Sequence, residues 1–430
     1  MKKIFYFFMA LIMSHNLLAQ TKTWTGTSST NWATPANWSP SGVPATTDEV
    51  IINNVANDPQ ILSGTVAGVK RIVINLGAIL TVNSGGNLTI SGFNTDPSEG
   101  LGLNNGSFIN NGTVAITSTI SGTNGIQSRN GGSLTNGGTI TITTTFDGIA
   151  SLSGALILTN NSTGVINIQT SIGFRNLSTT GATITNNGQI NYNGSGYAIA
   201  SESNTTFNNY GSLNINNGNG ISNSGSVLNN FVCGKIILNS GNYANNTSGS
   251  TTTNNGLIQL RGRLDNTGGI FHNNGVIKYG SLTGTITNNN GSVRVNDNPT
   301  NTSIFTYTGT FAGTVNGIFT NATATTSAGT FTAPNTFVPG SLPSGNQTLY
   351  AKITPSGSAC FYVVPFTYFN CNITLTAGAI TQPTTCRGTG SIAFTSTNLP
   401  NGTYSLSFTP TGSGATTSPQ NITFRVMPFL

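Results

Sequence analysis

Charge is what this sequence has least of. Asp, Glu, Lys and Arg make up 6% of its 430 residues, and there are two histidines. Recognition of nucleic acid needs Lys and Arg gathered on one face. The densest basic spot here is Arg261 with Arg263, which reads as a solvated edge. Nucleic acid is therefore not an expected partner, and the pI near 9.2 reflects a shortage of acids.

The same shortage bears on catalysis. Between Leu101 and Val295 the acids are Asp147, Glu202 and Asp265, which fall in different repeats at unrelated offsets. Glycoside hydrolysis needs two carboxyl groups at a set separation, and a calcium-dependent lyase needs several acids. Neither a pair nor a cluster follows. Asp265 beside Arg261 and Arg263 reads as a surface ion pair, and His272, next to Phe271, faces outward. No histidine is placed to activate the many serines and threonines, and no glycine-rich phosphate loop opens a helix. No catalytic residue, cofactor or metal site is expected.

Long apolar runs are missing too, apart from residues 4–13. That run follows Lys2 and Lys3 and is too short for a membrane span, so residues 1–19 read as an export signal removed near Ala19. No membrane span is expected in the mature chain, whose expected location is secreted or at the cell surface. Cysteine is scarce as well. Cys360, Cys371 and Cys386 could supply one disulfide in an oxidising compartment, with the connectivity open. Cys233 sits inside a repeat and reads as a small buried apolar residue.

What the chain does have is glycine, asparagine, threonine and serine in phase with apolar residues. The phrase TNNGQINY, residues 185–192, returns throughout the centre. Its grammar is an apolar residue, a spacer, an asparagine, then a glycine followed by alternation. Ahead of the asparagine stand Phe108, Leu134, Leu158, Ile184, Phe207, Val227, Phe271 and Ile286, with Thr252 in the one departing copy. The glycines from Gly112 to Gly291 recur every 16 to 26 residues, the signature of a stacked array. A second landmark, a glycine closely followed by an apolar residue, runs from Gly125-Ile126 through Gly196-Tyr197 to Gly280 with Leu282. The interval between the two landmarks falls from 13 residues to 5 along the chain, while the return interval stays between 11 and 16. One corner of a coil therefore shortens while its other sides keep their strands.

Strand side chains alternate faces, so an apolar residue at i and an asparagine at i+2 point the same way. That gives an inward series of Asn110, Asn136, Asn160, Asn186, Asn209, Asn229, Asn254, Asn273 and Asn288. Stacked on its counterpart in the next coil, each amide donates one way and accepts the other. The segments are poor in helix formers and hold no 3.6-residue period. A β-sandwich would not repeat its asparagine at one place in every unit. A parallel β-helix follows.

Around it the chain divides as residues 20–100, a cap with the first strands; 101–297, the repeats; 298–370, a proline-richer segment reading as a small β-sandwich-like domain; and 371–430, hairpin-linked strands. Trp24, Trp32 and Trp38 crowd into the first segment. They read as a cover over the first coil's open edge, or alternatively as a platform on which sugars stack.

Three stretches carry a resemblance. WTGTSSTNWATPANWSPSGVP with TDEVIINN, the TNNGQINY-like units, and LPNGTYSLSFTPTGSG resemble the cap, coils and repeats of large adhesin-like surface proteins of gliding-type Gram-negative bacteria, which are cargo of type IX secretion. The resemblance implies an all-β chain built on a right-handed parallel β-helix, with a structural and adhesive role. Its implied partners are extracellular surfaces, glycans or proteins. Members end in a sorting domain; the closing FRVMPFL carries none, which implies truncation or another mode of anchoring. Two alternatives stand beside this reading: a β-helix polysaccharide lyase or glycoside hydrolase, and a glycan-binding module using the tryptophans.

Overall fold

A computed structural model describes residues 20–424 apart from positions 95, 97, 202–203, 245–248, 289–292, 297–303, 308–312, 333–335, 344, 356–358, 371–373, 382–390, 398–401 and 407–419. The expected export signal, residues 1–19, lies outside the described residues, as do Cys371 and Cys386. The chain divides into two units, one of residues 1–316 with 352–364, the other of residues 317–351 with 365–430.

The first unit is a parallel β-solenoid of about ten turns. Each turn lays one short strand on each of three sheets, as in Asn124–Ser128 on sheet I, Gly132–Asn136 on sheet II and Thr139–Thr143 on sheet III. The next turn repeats the order with Asp147–Ser151, Leu156–Asn160 and Val165–Gln169, paired in parallel one coil further on. At roughly 4.8 Å between paired strands, corresponding side chains of successive coils touch. The core is thus a set of columns. On sheet II, Leu80, Phe108, Leu134, Leu158, Ile184, Phe207, Leu228, Thr252 and Phe271 stack in register. On sheet III, Val114, Ile140, Ile166, Ile190, Leu213, Ile236 and Ile258 do the same. All of these are buried, and each aliphatic or aromatic side chain so covered contributes about 1.5–3 kcal/mol.

The shortening corner lies between sheets III and I. Six residues, 118–123, separate Thr113–Thr117 from Asn124–Ser128, whereas Gly280 alone separates Val276–Tyr279 from Ser281–Gly284. One landmark needs correction there. The residue stacked between Phe174 and Ile221 on sheet I is Ile199, not Tyr197, which points to solvent.

The array also starts earlier than residue 101. Thr21–Trp24, Glu49–Ile52 and Arg71–Ile74 already pair in parallel on sheet I. The segment read as cap plus first strands therefore holds coils of its own; they lack the asparagine phrase because Val82 occupies that column where Asn110 stands one coil later. Both ends are closed by reversal of direction. Trp38–Ser39 runs antiparallel to Thr21–Trp24 at one end, and Ile304–Tyr307 antiparallel to Val293–Asn296 at the other.

The boundary drawn at residue 298 is also corrected. Residues to 316, and again 352–364, belong with the solenoid. The physical reason is covalent: Cys233 is bonded to Cys360, with Cα atoms 5.4 Å apart and 127 residues between them in sequence. Lys278 Nζ adds a hydrogen bond to the Val363 carbonyl at 3.0 Å. Cys233 is therefore a cross-link and not a free apolar filler. The second unit, by itself, carries small antiparallel pairs: Gly329–Thr332 with Thr336–Pro339, Thr374–Thr381 with Ser391–Thr397, and Gly402–Leu406 with Gln420–Phe424. They make the small antiparallel sheet region expected after the solenoid.

Candidate functional site

The inward asparagines form one hydrogen-bonded column under sheet II. Asn110 Nδ2 donates to Asn136 Oδ1, Asn136 to Asn160, Asn160 to Asn186, Asn186 to Asn209, Asn209 to Asn230, Asn230 to Asn254 and Asn254 to Asn273, each at 2.8 Å. All eight side chains are fully buried. Spare amide hydrogens reach backbone carbonyls of the turn beyond, as from Asn186 to Ser212 at 3.1 Å. Each buried amide is thereby satisfied by its neighbours, which removes a penalty of about 1–3 kcal/mol per group.

Asn229 is not in this column. It is half-exposed and bonds outward to Asn208 Oδ1 at 3.0 Å, while Asn230 takes the inward place. In VLNN the two apolar residues and the two asparagines fit either frame. Registry with Phe207 and Asn209 selects Leu228 and Asn230. From Asn110 to Asn273 the inward asparagine precedes its glycine by two or four residues, an even interval that Asn230 and not Asn229 keeps to Gly234; Asn288, three residues before Gly291, departs from it. Asn288 pairs with Asn273 along the backbone, but its side chain lies outside the described residues.

The departing copy has a reason. Thr252 stands in the apolar column because its hydroxyl pairs, at 2.6 Å, with the hydroxyl of Tyr243, a fully buried ring from sheet I. Burial pushes the Tyr243 phenol well up from its ordinary value, against the opposing pull of the Thr252 bond.

The tryptophans have no ring face to offer a sugar. Trp24, Trp32 and Trp38 are 1%, 0% and 3% exposed, and Trp38 packs edge-on against both others with centroids 4.8 and 4.6 Å apart. Trp24 Nε1 donates to the Asn57 carbonyl at 2.7 Å and Trp38 Nε1 to the Trp32 carbonyl at 2.9 Å. Buried Asn37 ties the intervening loop by accepting from the amides of Ser28 and Ser29. The sugar-stacking reading is thus corrected: edge-to-face packing over the first coil consumes the rings.

On the outside, charge is segregated. Ion pairs run along sheet I and its margins. Fully buried Glu99 accepts from Arg71 and, at 2.6 Å, from Arg129; Arg71 also lies 3.9 Å from Glu49, which pairs with Lys70 at 3.1 Å. Removing the Glu99 carboxylate would strand a largely buried guanidinium, at a cost of about 3–5 kcal/mol. The sequence alone does not show this cluster, because its members lie one coil apart and meet only once the coil length is known. Asp147, nearly buried, faces Arg175 at 3.9 Å, and that guanidinium lies 5.4 Å from the Phe146 ring centre. Arg263 and Asp265 pair at 3.1 Å. Glu202 lies outside the described residues, and His272 is half-exposed on sheet II. The structure does not bring the sequence's acids together: Asp147 and Asp265 are held by separate arginines on different coils.

Sheet II is the opposite case. Its strands, from Gln60–Ile61 to Thr287–Asn288, contain no Asp, Glu, Lys or Arg. Its outward ranks are threonine, serine, asparagine and β-branched aliphatics, such as Ser133 and Thr135, Ile157 and Thr159, Thr183 and Thr185, and Thr206 and Asn208. Ile157 and Ile270 are 53% and 55% exposed. Chemically, such a face offers hydroxyls, amides and methyls at coil spacing, and no ion to desolvate.

A family model described as "Domain of unknown function (DUF8693)" matches residues 23–255, more than half of the chain, from the tryptophan cap through the coil of Asn254. No curated protein matches the chain, and no solved structure matches it.

Proposed function

We propose that the chain, which belongs to the DUF8693 family, is a secreted or cell-surface structural protein of the adhesin kind. Its solenoid makes contact with extracellular surfaces, glycans or proteins through sheet II. The observation that carries this reading is the uncharged outer face of that sheet, backed on its inner side by the asparagine column. Burying a charged face in a contact costs several kcal/mol per ion. A face of hydroxyls, amides and methyls avoids that cost, and its hydrogen bonds contribute about 0.5–1.5 kcal/mol each. Repetition over the coils then multiplies weak contacts into firm attachment. The buried arginine–carboxylate pairs on sheet I fit a stabilising role, since Glu99 offers no exposed oxygen to a substrate.

The test is attachment. A strain lacking the chain is compared with its parent for retention on glass, polysaccharide-coated and protein-coated surfaces under flow. The reading expects reduced retention on at least one surface, restored when the purified chain is added back. Equal retention on all of them counts against it.

A further inference from the structure

The corner between sheets I and II carries a second, outward row of stacked amides. Asn75 Nδ2 donates to Asn53 Oδ1 at 2.7 Å, Asn104 to Asn75 at 3.0 Å and Asn130 to Asn104 at 2.6 Å. The row ends at Asn130, because the next coil turns the corner with Leu152, Ser153, Gly154 and Ala155, and no asparagine follows. Where it ends, the surface opens into a cleft of about 320 Å³. Two features make the cleft. The Gly131-Gly132 pair keeps its floor low, with Gly131 at φ +90° and the carbonyl of Ala155 only 3.0 Å from where a Cβ would stand. The four-residue corner of the following coil, one residue longer than Arg129-Asn130-Gly131, forms a wall.

Three of the lining side chains, Asn130, Ser133 and Ser107, have a definite hydrogen-bonding state. Asn130 is exposed and uses its Nδ2 on Asn104, so its Oδ1 is presented as the terminal acceptor of the row. Ser133 Oγ donates to Ser107 Oγ at 2.8 Å, which leaves the Ser107 hydroxyl hydrogen to donate outward. Ile157, 53% exposed, adds an apolar flank. No charged residue lines the cleft. Its volume lies at the small end of the range for ligand pockets, about 300–1,000 Å³.

We infer that this cleft is a subsite for one neutral sugar of a polysaccharide. A pyranose carries hydroxyls that both donate and accept, to match Asn130 Oδ1 and the Ser107 hydroxyl, and a C–H face to lie against Ile157. A uronate or a sulfated sugar would bring an anion to a cleft that no charged residue lines; Arg129, next in sequence to Asn130, directs a guanidinium nitrogen to Glu99. From the cleft the outward rank Ser133, Ile157, Thr183 and Thr206 continues one residue per coil along sheet II. A coil rise is of the order of one sugar residue, so a chain laid along the axis would meet each coil in turn. The inference rests on the adhesive reading and names the chemistry of its ligand.

The test uses the full chain and titration calorimetry with hexasaccharides of β-1,4-glucan, β-1,3-glucan and α-mannan, beside oligogalacturonate. At least one neutral oligosaccharide is expected to bind, and oligogalacturonate is not. Asn130→Ala, an exposed substitution that leaves the core untouched, is expected to weaken binding about tenfold, as loss of one hydrogen bond does. Ala155→Trp, which fills the cleft, is expected to abolish it, while Thr141→Ala, on the exposed face of sheet III, leaves it unchanged. Binding of none of the neutral oligosaccharides, equal binding of the acidic one, or indifference to both cleft variants overturns the inference. Failure of the adhesive reading is distinct: there, deleting the chain leaves attachment unaltered whatever the calorimetry shows.

Discussion

Asn229 and Asn230 are neighbours in sequence with opposite surroundings, which makes them a matched test of the amide column. Asn230 is fully buried; it accepts from Asn209 and donates to Asn254, to the Gly234 carbonyl at 3.2 Å and to the Leu257 carbonyl at 3.1 Å. Asn230→Ala deletes two column bonds and two bonds to backbone carbonyls, at about 0.5–1.5 kcal/mol each, and leaves the Asn254 oxygen with the Gly256 amide at 3.2 Å as its donor. The expected loss is about 2–4 kcal/mol in all, since the surviving groups keep part of their backbone bonds. Asn229→Ala removes one half-exposed bond to Asn208 and should stay within about 0.5 kcal/mol. Guanidinium unfolding of the full chain, followed by far-ultraviolet circular dichroism, reads both. Because coils interact with nearest neighbours, the Asn230 variant should also lose hydrogen-exchange protection first in the strands of Asn209 and Asn254. Equal effects at the two positions would refute the reasoning.

Three more expectations concern the scaffold. Gly211→Ala would put a Cβ 2.0 Å from the Gly188 carbonyl oxygen and within 2.8 Å of the Asn187 carbonyl, backbone that cannot yield; the expected loss is about 3 kcal/mol or more. Gly64→Ala, at φ +78° in open space, should cost only the about 1–2 kcal/mol of a left-handed conformation, and denaturation midpoints separate the two. The Cys233–Cys360 bond should appear as one cross-linked peptide in a non-reducing digest, and Cys360→Ser should lower stability by about 2–4 kcal/mol; a Cys360 linked elsewhere contradicts it. Burial pushes the Tyr192 phenol up to about 12, opposed by the bond from the Gly196 amide. The folded state thus holds a proton that the unfolded state releases from pH 10 upward, so stability is full below pH 10 and falls as pH rises towards about 12. Tyr192→Phe should flatten that fall by one tyrosine's share, leaving the share of Tyr243; an unchanged slope contradicts the assignment.

The architecture was legible because its cause is local and repeated. An apolar residue and an asparagine two positions apart, then a glycine, specify an inward face and a tight corner in each unit. The corner glycines act through space more than through backbone freedom, as Gly211 against Gly188 illustrates. Legibility failed where the pattern was degenerate or the cause was distant. VLNN satisfies two frames by its apolar-to-asparagine spacing, and contact with the coil of Asn209 fixes the choice. Tyr197 follows a glycine as its counterparts do, yet Ile199 fills the column because the strand bulges by one residue between Tyr197 and Ile199. Cys233 and Cys360 are separated by 127 residues, and no periodicity connects them. Arg71, Glu99 and Arg129 converge only once the coil length is known. The cleft at Asn130 depends on one corner being a residue longer than the one before it, a difference visible in sequence only after the coils are aligned.

The central claim is that the uncharged outer face of sheet II makes the attachment. It is met most directly by returning two chains to the strain that lacks it: the native chain, and a variant carrying Ile157→Lys, Thr183→Lys and Thr206→Lys on that face. Both should give the same circular dichroism and melting, since all three positions point to solvent. The account expects the native chain to restore retention under flow and the lysine variant to fail; restoration by both would contradict it.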